Sequence, residues 1–241
     1  MDKASSVLTP LTGGDRVMRI VGLAGPARVG KDTVADYLVK VHGYRKFSFS
    51  DALYREVSMA YNVPIALLLD SRMKDICLLE LMPNYCTDQE FVNLILSTGL
   101  AHNSMQPLSP RRVLQWWGTE YRRAQDPMYW VRAADDWLQA VKTAGAYDPE
   151  GATPGVVNTS VRFDNEYNWI KAQAGGEVWH MSRDNLPRND NPAHISETPL
   201  AIEPDDGVIY NNGSVTSLHF GLSIMLARGG RQLTVLPEEV A

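Results

Sequence analysis

Gly25-Pro26-Ala27-Arg28-Val29-Gly30-Lys31-Asp32-Thr33 is the stretch whose residue types and spacing could do chemistry. Two glycines bracketing a short loop, with a lysine directly after the second, let backbone N–H groups close around a phosphate chain while the lysine reaches its terminal oxygens. The pattern G-x-x-x-x-G-K-[ST] is broken at one place, where Asp32 takes the hydroxyl position and Thr33 follows it. A carboxylate beside bound phosphates is costly unless a cation or a proton lies between them. Asp32 therefore reads either as a magnesium ligand, direct or through water, or as a base for the group that accepts the phosphoryl. A monophosphate acceptor is already largely ionised at neutral pH and needs no base, which favours the magnesium role; a hydroxyl acceptor would favour the base. A helix dipole stabilising an acidic first-turn residue is compatible with both.

The elements that must position this loop lie on either side of it. Met18-Arg19-Ile20-Val21-Gly22-Leu23-Ala24 is short, mostly apolar and reads as a buried strand. Val34, Tyr37, Leu38 and Val41 recur at i, i+3, i+4 and i+7, one face of a helix. Strand, glycine loop and helix in that order aim a helix N-terminus at the phosphates.

Such a site must cancel much charge. ATP and a monophosphate acceptor together carry about six negative charges, of which one magnesium ion and Lys31 remove half. The rest calls for arginines, whose planar forks grip phosphate oxygens. The chain supplies them as Arg111-Arg112, Arg122-Arg123, Arg162, and Arg183 with Arg188. Taken singly, Arg122 and Arg123 read as solvated surface charges. Arg162 follows a predicted strand, at the edge where open α/β sheets bind ligands. Arg183 also follows a strand and opens a polar loop suited to closing over phosphates and excluding water. Trp117, Trp130 and Trp137 fall on helix faces as core residues, whereas Trp116 lies off that face and is free to meet a ligand. His194 and Glu197 read from spacing alone as a hydrogen-bonding pair in that loop.

A net charge of −5 over 241 residues, with no basic tail, argues against nonspecific nucleic-acid binding. No apolar run approaches a membrane span. The first sixteen residues lack the pattern of a signal peptide. Cys77 and Cys86 sit in no C-x-x-C pair and have no histidine at ligand spacing, so they read as free thiols of a reducing cytoplasm rather than a zinc site.

Further along, strands are expected at residues 44–49, 155–159, 177–181 and 208–210. Helices are expected from Ser109-Pro110, from Asp126-Pro127, over residues 163–174 and over residues 214–227. The helix after Asp126-Pro127 has the clearest face: Trp130, Ala133, Ala134, Trp137, Leu138 and Val141. Strands alternating with helices predict an α/β fold, a parallel sheet with crossover helices on both faces. Residues 1–16 and 229–241 read as tails around one domain at 17–228.

Several blocks together resemble the bacteriophage deoxynucleoside monophosphate kinases of T-even type. The Gly-Lys-Asp-Thr ending of the cradle, Ser109 to Glu120, Asp126-Pro127-Met128-Tyr129-Trp130-Val131, Arg162-Phe163-Asp164-Asn165-Glu166, His194-Ile195-Ser196-Glu197 and Asn211-Asn212-Gly213-Ser214 stand in that family's order. The resemblance implies a P-loop kinase-like three-layer fold with a helical acceptor-binding region at about 51–146 and a lid at about 183–199. It implies transfer of the ATP γ-phosphate to a deoxynucleoside monophosphate, with magnesium, in the host cytoplasm. By position, Gly25, Arg28, Val29, Gly30, Lys31, Asp32 and Thr33 would hold the ATP phosphates. Ser50, Asp51, Arg111, Arg112, Gln115, Arg162 and Glu166 would surround the acceptor. Arg183 and Arg188 would be lid arginines, joined there by His194 and Glu197, while Asn212, Gly213 and Ser214 would border the adenine.

One departure concerns the metal: the family commonly has Asp two residues before the arginine of Arg-x-x-x-Glu, and here that residue is Ser160. Two other readings stay open on the residues themselves: a small-metabolite P-loop kinase, of the phosphomevalonate or dephospho-coenzyme A kinase sort, and a nucleotide-binding regulator without catalysis. Oligomeric state has no signature, and the helical middle leaves room for a homodimer.

Overall fold

The computed structural model describes residues 18–147, 152–184, 186, 199–227 and 232–235. Six strands build one sheet: β1 (Arg19–Ala24), β2 (Arg45–Phe47), β3 (Gly155–Val161), β4 (Gly176–Ser182), β5 (Gly207–Asn211) and β6 (Gln232–Val235). Their order is β2-β3-β1-β4-β5-β6, and every neighbouring pair is parallel. All six carboxyl ends therefore share one edge, and the central strand β1 delivers the glycine loop to it. Strand β6 lies within the stretch that the sequence suggested was a C-terminal tail. Four residues separated from the last helix by glycines carry too little periodicity to announce a strand.

Eight α-helices accompany the strands among the described residues: α1 (Lys31–His42), α2 (Asp51–Tyr61), α3 (Ile65–Leu69), α4 (Gln89–Ser97), α5 (Pro110–Gln115), α6 (Tyr129–Tyr147), α7 (Asp164–Ala172) and α8 (Val215–Ala227). One face of the sheet packs against α1 and α8, through Val21, Leu23, Val157 and Trp179 on the strands and Val34, Leu38, Leu218 and Leu222 on the helices. The other packs against α6 and α7 through Ile20, Val156 and Val178 with Val131, Leu138 and Ile170. This is the expected three-layer α/β arrangement. A third apolar cluster lies within the helical middle, around Phe91, Val113, Trp117 and Trp130.

Two differences from the expected faces have a common cause. Val41 is 60% exposed although Val34, Ala35 and Leu38 on the same helix are buried. Periodicity gives direction around a helix but not how far along it the neighbouring layer extends, and α1 outruns its cover by one turn. Trp116 is buried beside Trp117, not turned to a ligand. Helix α5 continues over Trp116–Arg123 as wider π-helical turns, which rotate side chains away from the positions a 3.6-residue period assigns. The face of α6 is as expected, but from Val131 onward it covers the sheet. Most of that helix thus packs on the sheet.

Candidate active site

The glycine loop is shaped by its neighbours as much as by its own sequence. Gly25 has φ +135° and Gly30 φ +107°, both in the region that favours glycine. A side chain on Gly25 would run into the Met181 carbonyl of β4, and one on Gly30 into the Asn211 amide 2.6 Å away. Arg28 between them is also left-handed, at φ 65°. Val29 points into the core and anchors the loop from below. Asn211, buried at the end of β5, donates from Nδ2 to the Val29 carbonyl at 3.0 Å and holds the loop from the side. The Lys31 Nζ donates to the carbonyls of Gly25 and Pro26 at 2.6 and 2.7 Å, so its ammonium lies over the cradle. Thr33 is half-buried one residue past Asp32 in the first turn of α1.

Along the carboxyl edge a cavity of about 350 Å³ opens beside the loop. Gly25, Pro26 and Ala27 form one wall, Arg162 at the exit of β3 another, and Ser182 at the exit of β4 a third. Arg162 thus lines the same cavity as Gly25 and Pro26, whose carbonyls hold Lys31, and Arg183, exposed, is the next residue after Ser182. The far wall includes Leu200 and Ile202. That segment is held by Asp206, whose buried carboxylate accepts from the Tyr167 hydroxyl, Lys171 Nζ and the Glu203 N–H and is bonded to His180 Nε2 at 3.0 Å. Beyond β5, Asn212 bonds both the Asp184 N–H and its carboxylate at 2.8 Å, tying this turn to the residue after Arg183. Ser214 accepts from the Ser217 N–H and caps α8. Arg188, His194 and Glu197 lie outside the described residues.

A second group gathers where β2 and β3 end. The Ser48 hydroxyl bonds both Ser50 (2.7 Å) and Ser160 (2.6 Å), and Asp51 accepts from the Ser48 N–H at 2.8 Å. Tyr54, one turn into α2, has its hydroxyl pKa raised, chiefly by burial; the charges of Arg162 and Arg111 oppose that shift and Asp51 adds to it. Three residues expected in one acceptor region, Arg162, Arg111 and Asp51, are thus each within electrostatic reach of Tyr54. Tyr54 was not foreseen, and no periodicity or spacing distinguishes it from an ordinary helix tyrosine.

Other sequence-derived candidates have different surroundings. Glu166 is buried: one oxygen accepts from the N–H groups of Arg162 and Phe163, the other from Arg123 Nη2 at 2.9 Å. Its carboxylate closes the first turn of α7 and fixes the backbone of Arg162; it does not face an acceptor. Burial raises its pKa, against the pull of those donors. Arg111 grips Asp75 with two bonds, Nε at 2.6 Å and Nη2 at 3.0 Å, so an acceptor phosphate would have to compete with that carboxylate. Arg112 is exposed and Gln115 half-buried on the same helix. Arg122 and Arg123, expected as solvated charges, are mostly buried ion-pair members. Arg122 donates to Glu56 at 2.9 Å and lies over the rings of Trp117, Tyr121 and Tyr129.

Magnesium is usually bound by one or two carboxylates together with substrate phosphates, not by an all-protein cage. No cluster of three or more His, Cys, Asp or Glu side chains suited to a metal exists among the described residues. Asp32 is nonetheless a cation-binding carboxylate already: it is exposed, lies in the turn after Lys31 and accepts from Lys46 Nζ at 2.8 Å. That donor set fits a magnesium ion brought in on phosphates. Ser160, where the resembling family has Asp, contributes only a hydroxyl, and that hydroxyl is engaged with Ser48.

A family model described as deoxynucleotide monophosphate kinase matches residues 67–221, from the helical middle through β5 and into α8. The chain belongs to the deoxynucleotide monophosphate kinase family. The deoxynucleotide monophosphate kinase of Enterobacteria phage T4 is 25% identical over 241 residues, spanning 83% of this chain and 95% of that protein. Among solved structures, an unliganded sugar kinase from Janibacter sp. HTCC2649 covers 88% of this chain and 96% of its own, at 15% identity and a TM-score of 0.42. Family membership makes the protein a nucleotide kinase and disfavours both the small-metabolite kinase and the non-catalytic regulator. No helix among the described residues is long and apolar enough to cross a membrane.

Proposed function

We propose that this kinase uses ATP and magnesium to phosphorylate a deoxynucleoside 5′-monophosphate, in the cytoplasm of the host cell. The observation that carries the reading is the shared carboxyl edge, where Gly25 and Pro26, whose carbonyls hold Lys31, and the strand exit with Arg162 border one cavity, in a chain of this family. An oxygen of the acceptor monophosphate attacks the γ-phosphorus in line, the bond from that phosphorus to the β–γ bridging oxygen breaks, and ADP leaves with the electron pair. The chain contributes position and charge, with no covalent intermediate.

Each residue then has a role. The N–H groups from Gly25 to Thr33, including those of Arg28 and Val29, hold the donor phosphates, and Lys31 leaves its two carbonyl partners for their terminal oxygens. Asp32 would hold magnesium, with Thr33 beside it; the ion, when bound, would neutralise charge on the transferring group. Ser50, Asp51, Arg111, Arg112 and Gln115 border the acceptor, with Arg162 between acceptor and donor. Arg183 and Arg188 close over the phosphates from the lid at about 183–199, and Asn212, Gly213 and Ser214 lie against the adenine. Glu166 acts by holding the Arg162 backbone. A coupled ADP-release assay with each deoxynucleoside monophosphate in turn tests the reading. Acceptor-dependent turnover with at least one is expected, and none with any would overturn it.

A further inference from the structure

Lys46 is a strand residue to which the sequence assigns no role, yet its ammonium sits in the candidate site. It is held between two carboxylates one turn apart on α1, Asp32 at 2.8 Å and Asp36 at 3.7 Å. Two residues further on, Ser48 is bonded to Ser160, so β2 brings Lys46 to the strip between the cradle helix and the acceptor corner at Ser50 and Asp51.

We propose that Lys46 is a second phosphate-contacting lysine: it rests on Asp32 while the cleft is empty and moves to phosphate oxygens when a divalent cation takes that carboxylate. This rests on the reading above of a magnesium-dependent phosphoryl transfer.

Three physical points carry the exchange. Asp32 is 83% exposed and Lys46 37%, and an exposed ion pair is weak enough for a doubly charged ion to displace. Ser160 lacks a carboxylate and Asp32 directly follows the cradle lysine, so whatever neutralises Asp32 bears on metal entry there. The released ammonium then borders about six negative charges, of which magnesium and Lys31 cancel three. Its four-carbon stem lets it reach them without moving the strand.

The test uses the full chain as wild type, Lys46→Met and Lys46→Arg, with two measurements that need no turnover. Manganese binding to the nucleotide-free protein, followed by electron paramagnetic resonance, should tighten in Lys46→Met by up to roughly 5-fold, the size of a lost exposed ion pair. Calorimetric binding of the magnesium complex of the β,γ-imido analogue of ATP should weaken by roughly 10-fold in Lys46→Met, as a charge-assisted phosphate contact is lost, and recover most of that in Lys46→Arg. Both changes together support the proposal. Tightened manganese with unchanged analogue binding leaves a surface ion pair and overturns it, as does unchanged manganese affinity. If the wild type binds the analogue but phosphorylates no deoxynucleoside monophosphate, the acceptor assignment falls while these two measurements still decide the role of Lys46.

Discussion

Arg122 and Arg123 of the helical middle and Arg162 at the sheet edge look alike in the chain and have different surroundings in the fold. Arg122 reaches Glu56, 66 residues away, which also accepts from the Trp117 indole and the Tyr129 hydroxyl. Arg123 reaches Glu166 across 43 residues. Both guanidinium groups are spent on carboxylates: Glu56 is half-buried, and Glu166 is buried, where an unpaired charge costs several kcal/mol. Arg162 instead leaves the sheet at a strand exit and walls a cavity next to the cradle. The comparison teaches that an arginine's surroundings, not its neighbours in sequence, decide whether it is spent on an internal ion pair or lines a cavity.

The strongest break in that comparison would come at the edge. Arg162→Ala should lower turnover by roughly 10²–10³-fold, the usual loss when one preorganised donor to developing charge is removed, while ATP binding stays near wild type. A coupled assay beside calorimetric ATP titration reads both; a melting temperature lowered without a turnover defect would move Arg162 to the structural side. Arg123→Ala should do the reverse, costing about 3 kcal/mol of stability in urea unfolding because Glu166 is left buried without its cation.

That loss should also depend on pH. Burial raises the Glu166 pKa, so the folded state takes up the proton more readily than the unfolded chain, and the carboxylate's burden on folding grows as pH rises through the folded value. Without Arg123 the folded pKa rises further, so the deficit of Arg123→Ala should be larger at pH 8 than at pH 5. A pH-independent deficit would mean that the lost energy is packing over Phe163, which Arg123 covers, and not charge.

Glu56→Gln sharpens the same contrast with a smaller effect. It keeps the shape but weakens a charge-assisted hub, and a loss of about 1–3 kcal/mol is expected in denaturant unfolding. The smallest effect belongs to α1: Val41→Ala should change stability by less than about 0.5 kcal/mol, against about 2–5 kcal/mol for Leu38→Ala on the same predicted face. Equal costs would contradict the exposure of Val41.

Much of the fold was legible because its signals are local. The cradle announces itself through Gly25, Gly30 and Lys31, and α6 through apolar residues at helical spacing. Ser109-Pro110 marks the start of α5 as caps do, with the Ser109 hydroxyl accepting from the Arg112 N–H. Strand β6 and the π-helical turns after Gln115 were not legible, since neither has a pattern distinct from a tail or an ordinary helix. Within the site, Tyr54, Asp206 and Lys46 carry no local signal, and Asn211 is legible only as part of the Asn211-Asn212-Gly213-Ser214 turn, not as the residue that holds the glycine loop. Their partners lie elsewhere in the chain: Asn211 holds a loop 182 residues away, and Lys46 a carboxylate 14 residues back.

What the amino-acid order determined alone is therefore the glycine loop with its lysine, the alternation of strands and helices, and the supply of cationic side chains. Those follow from backbone freedom at glycine and from periodicity, which operate over a few residues. Which arginines remain at the carboxyl edge of the sheet, which carboxylate closes a helix, and which lysine rests on Asp32 were decided only by the tertiary structure. Charges pair according to distance in space and to burial, and neither exists until the layers have packed.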